Sequence, residues 1–224
     1  MKKMLFRSLG VSLLFVFGLS SFAQPADLGD WLIYFGNKKI NSRWNWHHEV
    51  QYRNYNAIGD LEQLLLRTGI GYNLSENNHN VLLGYGYIRA ENYLEGSDEK
   101  AVTHEHRVYQ QFITRQQIGR VYLQHRYRLE QRWLNRETFK MRYRYFLSAQ
   151  IPLNQRDMGS GALYASAYNE LFINDRASLF DRNRLYGGMG YQFNTHTKFE
   201  LGYMNQFFER GGRDQLNLIL FFSF

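Results

Sequence analysis

The sequence has no cysteine among its 224 residues and only two prolines, Pro25 and Pro152. Without cysteine there is no disulfide framework, no thiolate metal site and no acylated cysteine to anchor the chain. A chain exported in this form must be held by its own core or by a bilayer. Long apolar runs are also missing beyond the N-terminal segment. No later stretch approaches the roughly 18 apolar residues of a membrane helix, which excludes helical spanning, and the mean hydropathy is −0.51. Charge of one sign is not in large excess either. The formal charge is +7, and three of those units come from Lys2, Lys3 and Arg7 at the extreme N-terminus. With no basic RNA- or DNA-binding motif, nucleic acid is not expected as a partner.

Those three basic residues precede an apolar run from Val11 to Leu19 and the small-residue stretch Ser20-Ser21-Phe22-Ala23. This is the pattern of a secretory signal peptide. The expected organisation is a signal peptide over 1–23, cleaved after Ala23, and a single mature domain over 24–224.

Aromatic residues are abundant, with 17 tyrosines and 17 phenylalanines, and they recur at alternate positions. Alternation puts one set of side chains on each face of a strand. From Arg43 to Tyr55, Trp44, Trp46, His48, Val50 and Tyr52 share one face, and Asn45, His47, Glu49, Gln51 and Arg53 the other. The pattern repeats over Leu61–Leu74, Asn80–Ala90, Thr103–Thr114, Val121–Trp133, Phe139–Ile151, Ala162–Ile173, Arg182–Phe193, Thr197–Phe207 and Asp214–Phe224. Strands of this length with one apolar and one polar face suit lipid outside and a polar lumen inside, and such a chain has a soluble-looking average hydropathy. No proline falls inside a strand, as ladder pairing demands. Trp31–Lys38 is left as an eleventh apolar segment. Because single-chain barrels of this kind have even strand numbers, the expectation is ten to twelve strands: either that segment is not a full wall strand or one strand is missed.

The last strand, with Leu216, Leu218, Leu220, Phe222 and Phe224 on one face, ends on an aromatic residue. That is how outer-membrane barrels end, and it makes Phe224 the expected assembly signal for the barrel-assembly machinery. Counting back from a periplasmic C-terminus makes Glu91–Val102 an extracellular loop and Asn154–Gly161 a periplasmic turn, with long connections outside and short ones inside.

Several stretches carry a resemblance to a known family: Trp31 in the opening segment, Arg126-Tyr127-Arg128-Leu129-Glu130-Gln131-Arg132, Arg142-Tyr143-Arg144-Tyr145, Asn169-Glu170, and Asn183-Arg184 before Gly188-Met189-Gly190-Tyr191. The mature chain resembles, over nearly its whole length, an uncharacterised Gram-negative outer-membrane barrel family called domain of unknown function 2490. The resemblance implies a barrel in the outer membrane. It implies no activity or substrate.

The candidate site is the inward face of two adjacent strands. There Arg126, Arg128, Arg132, Lys140, Arg142 and Arg144 form a basic track beside one acid, Glu130. Such a track lowers the barrier for anions in selective pores. In a small barrel the same residues fill the interior, and Glu49, Glu170 and Glu200 on other strands reach across as salt-bridge partners. A plug or narrow pore is favoured over an open anion channel.

Three other constellations are weaker. His104 and His106 share a strand face, but two ligands make no metal site, and His47 and His48 point to opposite faces, so no metal and no cofactor is expected. Ser148, Ser166 and Ser223 point inward while His48 and His125 point outward, so a lipid-facing serine–histidine pair is unsupported; His47, Glu49 and Ser166 would need cross-barrel geometry. The acidic cluster Glu95-Gly96-Ser97-Asp98-Glu99 reads as a solvated loop tip.

The sequence thus points to an all-β, up-and-down barrel of ten to twelve strands, a monomer in the outer membrane of a Gram-negative bacterium. Its expected partners are outer-membrane lipids and lipopolysaccharide, the barrel-assembly machinery and small anionic solutes. A narrow pore leads as its function, ahead of a non-conducting structural barrel and a lipid hydrolase, with no catalytic residues assigned.

Overall fold

The computed structural model describes residues 28–224 apart from 57, 58, 76, 77, 136, 137 and 177. The expected signal peptide over 1–23, its cleavage point and Pro25 lie outside the described residues. The chain is all-β and forms one closed barrel of eleven strands: β1 Gly29–Lys39, β2 Trp44–Asn54, β3 Leu61–Asn73, β4 His79–Tyr93, β5 Lys100–Ile118, β6 Val121–Leu134, β7 Thr138–Pro152, β8 Ala162–Asn174, β9 Phe180–Gln192, β10 Thr197–Phe207 and β11 Gly212–Ser223. Each strand pairs antiparallel with its sequence neighbours, as hairpin connections require. The closing pair, β1 with β11, is parallel, in register from Gly29↔Gln215 to Asn37↔Ser223.

Neither alternative expected for Trp31–Lys38 occurs. That segment is a full wall strand, and no twelfth strand joins it among the described residues. An odd number of strands joined by hairpins leaves the first and last running the same way, which is why the seam is parallel. It also puts the start of β1 and the end of β11 at opposite ends of the barrel. Beyond β11, the Phe224 amide donates to Asn37 O at 3.0 Å and its carbonyl accepts from Lys39 N at 2.8 Å. The terminal residue therefore extends the seam by backbone pairing.

The expected difference in loop length is not found. The longest connection, 153–161, lies at the end where β11 finishes, the end predicted to carry short turns. Glu91–Val102 shrinks to 94–99 because β4 and β5 pair as far as Tyr93↔Lys100. The turn at 119–120 is tight, with Gly119 at φ 59°, a left-handed conformation that glycine adopts without steric cost.

Alternation of burial follows the sequence pattern. Outward side chains include Leu66, Leu83, Leu185, Leu201 and Leu218 along the middle of the wall. The exposed tryptophans and phenylalanines lie towards the two ends, Trp44, Trp46, Phe193, Phe222 and Phe224 at one and Trp133, Phe139, Phe180 and Phe207 at the other, while the exposed Tyr85 and Tyr127 sit along the middle.

Inside, the barrel has two different halves. Beside the seam lies an apolar cluster of Trp31, Ile33, Tyr186, Met204 and Ile219, with Phe35, Tyr168 and Phe221 against it. Across β2 to β9 the lumen is filled with buried charge. An eight-stranded barrel is just wide enough for ordinary side chains to fill. At eleven strands the interior is wider, and long arginines are the residues able to bridge it.

Candidate functional site

The interior site is a network of guanidinium and carboxylate groups built on alternate positions of β5 to β9. At its centre is Glu130 on β6, which is fully buried. Its Oε1 accepts from Arg144 Nη1 at 2.6 Å and its Oε2 from Arg142 Nη2 at 2.7 Å, while Arg107 Nη1 and Arg128 Nη1 stand at 3.5 and 3.6 Å. Four guanidiniums from three strands thus converge on one carboxylate.

Arg144 continues the network across β7. Its Nη2 lies 2.6 Å from Glu170 Oε1 on β8, the atom that also receives Arg126 Nη2 at 2.7 Å. Arg184 on β9 approaches the other oxygen of Glu170 at 3.7 Å. On the opposite flank Glu105 takes Arg107 Nη2 at 2.6 Å and Arg132 Nε at 2.7 Å. Further round, Glu49 on β2 accepts from Arg67 Nη1 at 2.5 Å and from Gln51. Nearly every pair is bidentate or shared, the geometry in which arginine is strongest.

Aromatic rings separate like charges that would otherwise face one another. The guanidiniums of Arg144, Arg184 and Arg142 lie 4.5, 4.6 and 5.1 Å from the centroid of buried Phe172. Arg128 lies 4.4 Å over Tyr109, whose ring crosses Gly84 where any Cβ would collide with it. Each such contact contributes about 0.5–2 kcal/mol, more when desolvated.

Of the residues expected at the site, Arg126, Arg128, Arg132, Arg142, Arg144, Glu130 and Glu170 are brought together, with Glu49 further round the wall. Lys140 is not: it lies on the same strand face but is exposed at the end of β7 and forms no ion pair with a described carboxylate. Glu200 is buried yet meets no described arginine; it accepts from Gln150 Nε2 at 2.8 Å, Tyr164 OH at 3.0 Å and Tyr186 OH at 3.3 Å. Its strand, β10, borders the apolar half, where hydroxyl donors replace guanidiniums.

The sequence reading missed Glu105 and Arg107, which stand on the weakly alternating β5, and the cationic partners Arg67 and Arg184. Arg53, which alternation places on the polar face of β2, also lies outside the expected site. That residue is buried, held by Gln51 and Gln63 and stacked 3.5 Å over Trp31, with no described carboxylate within ion-pair distance. Among the described residues, seven buried arginines stand against six buried acids, five glutamates and Asp30.

The remaining candidates are placed as follows. His104 and His106 face outward, each bonded through Nδ1 to a tyrosine hydroxyl, Tyr87 at 2.8 Å and Tyr85 at 2.6 Å. His48 packs between Trp46 and Phe224 with its ring tilted to both, at ring-centroid distances of 4.7 and 5.7 Å. His47 Nε2 lies 3.5 Å from Glu49, whereas Ser166 sits on β8 between Gln150 and Gly188 in register. β2 and β8 are not neighbours in the barrel, and no hydrogen bond joins His47 to Ser166 among the described residues.

At one rim, outside the wall strands, Asp60 receives Lys100 and, at 2.9 Å, Tyr93 OH. Burial works against the charged form, but these hydrogen bonds and the Lys100 charge hold the Asp60 carboxyl below its ordinary range.

No curated protein and no solved structure matches the chain. The family described as Protein of unknown function (DUF2490) matches it over residues 28–217, from the residue before β1 into β11, and the chain belongs to that family.

Proposed function

We propose that this chain is an integral barrel of the outer membrane of a Gram-negative bacterium, and that its lumen is closed to solutes by its own arginine–glutamate network. Support for the membrane placement comes from the outward apolar wall and the aromatic residues at both ends, which match the band and girdles of outer-membrane barrels. The observation that carries the closed lumen is Glu130: it is fully buried while four arginines reach it. A carboxylate lining an open aqueous pore would keep contact with water. The geometry thus favours a non-conducting structural barrel over a continuously open pore.

A second reading, a narrow path for small anions, is favoured by the one buried arginine in excess of the described buried acids and by Arg53, which has no described carboxylate partner. Uncompensated cations inside a barrel attract mobile anions. Fractionation of cells and heat-modifiable migration test the membrane placement; recovery of the folded chain in the soluble fraction would overturn it. The reversal potential in a salt gradient, for the wild type and for Arg128→Glu with Arg142→Glu, separates the two readings. Anion selectivity lost in the double variant supports the pore. Absence of current in the wild type supports the closed barrel.

A further inference from the structure

We propose that the outward wall carries a binding groove for a glycerophospholipid, with the phosphate on Arg43 and an acyl chain laid across β3 to β6. The proposal rests on the membrane placement and goes beyond it by naming a site. The wall bears a groove of about 830 Å³ lined mostly by apolar outward side chains of β2 to β8, with Gln110 and the inward-facing Leu82, Gln111, Arg128 and Arg144 completing it.

Its origin is the pairing register. Tyr72, Val81, Phe112 and Tyr127 are successive partners from β3 to β6, and Ile70, Leu83, Gln110 and Leu129 form the next row. Strands in a closed barrel tilt from its axis, so rows of partners climb around the wall. The two neighbouring rows therefore frame one continuous inclined trough rather than separate dimples. Leu83 is 60% and Ile70 46% exposed, so no part of the described chain covers the trough.

One end of the trough is polar. There Trp44 meets Tyr72 edge to face with ring centroids 4.9 Å apart, and Arg43 Nη1 donates to the Tyr72 hydroxyl at 2.8 Å. Arg43 forms no ion pair with a described carboxylate. A guanidinium held by the Tyr72 hydroxyl, with no described carboxylate partner and with two aromatics beside it at the mouth of an apolar trough, is complementary to an anionic headgroup joined to a hydrocarbon chain. A second copy fits less well. Two barrels side by side in one membrane bring like ends together, which places a second Arg43 rather than an anion at that level.

The test uses the full mature chain extracted from membranes in dodecyl maltoside, with phosphatidylglycerol added and the complexes weighed by native mass spectrometry. The wild type should retain one phosphatidylglycerol. Arg43→Ala should retain it about fivefold less well, the factor one basic residue contributes near a lipid headgroup. Leu83→Trp, which fills the trough, should also release it while heat-modifiable migration stays normal. A lipid-free wild type, retention in both variants equal to that of the wild type, or a lipid-free dimer would overturn the groove. Recovery of the chain without detergent would instead overturn the membrane placement, so the two failures are distinguishable.

Discussion

Arg144 donates to Glu130 at 2.6 Å although the two are not register partners. The residue opposite Arg144 on β6 is Arg128, and the one opposite Glu130 on β7 is Arg142. Diagonal reach gives Arg144, which faces the like charge of Arg128, an ion pair with Glu130 that Arg142 already meets directly, because a side chain of this length covers the distance to the next position along the neighbouring strand.

Removing the shared acid should therefore cost far more than an exposed ion pair does. Glu130→Gln leaves Arg107, Arg128, Arg142 and Arg144 without their common carboxylate, and loss of one member of a buried pair typically costs about 3–5 kcal/mol. A fall of that order is expected in the urea-unfolding stability of the barrel in lipid vesicles. Unchanged stability would mean that the network is solvated.

On the proposed membrane placement the two faces of β6 differ in their tolerance of charge. Leu129→Arg should destabilise the barrel by about 2–4 kcal/mol, the value for arginine near the bilayer midplane. Gln124→Arg, on the lumen face, should be tolerated. Equal effects in the same unfolding assay would contradict the inside–outside assignment.

Topology gives a third expectation. A tag after Ser97 and a tag before Gly29 should both be labelled on intact cells, because β1 starts at the barrel end that carries 94–99. A tag after Gln155 should stay protected. Deletion of Leu218 to Phe224, which removes the seam partners of Leu32 to Asn37, should abolish the heat-modifiable barrel.

The rim clasp around Asp60 should respond to acid. Its carboxyl is held below the ordinary value, so its contribution is fully present above the unfolded aspartate value and is lost as pH falls through the lower folded one. Deuterium uptake at 93–100, corrected for intrinsic exchange, should rise as pH falls below about 4, the ordinary aspartate value. Asp60→Asn should show the higher uptake at every pH.

Much of the barrel is legible in the sequence because a two-residue period is enough to set strand faces. The predicted Leu61–Leu74, Val121–Trp133 and Thr197–Phe207 differ from the observed strands by one residue at most. What is not legible depends on three-dimensional register. Arg142 and Arg67 pair with the glutamates directly opposite them, but Arg144 and Arg132 reach diagonally, so neither the Arg144–Glu170 pair nor the lack of a described arginine at Glu200 can be read from spacing. β5 is weak because its outward positions include His104, His106 and Gln110, which hides the inward Glu105 and Arg107. Trp31, Tyr109, Phe172 and Tyr186 break the binary pattern by pointing inward, where they serve as plates between cations or as the apolar half of the lumen.

The central claim is that the lumen is closed, and conductance of the refolded mature protein in a planar bilayer tests it most directly. The account predicts no unitary current steps for the wild type under an applied voltage in symmetric potassium chloride. Steady, stepwise current from the wild-type barrel would contradict it.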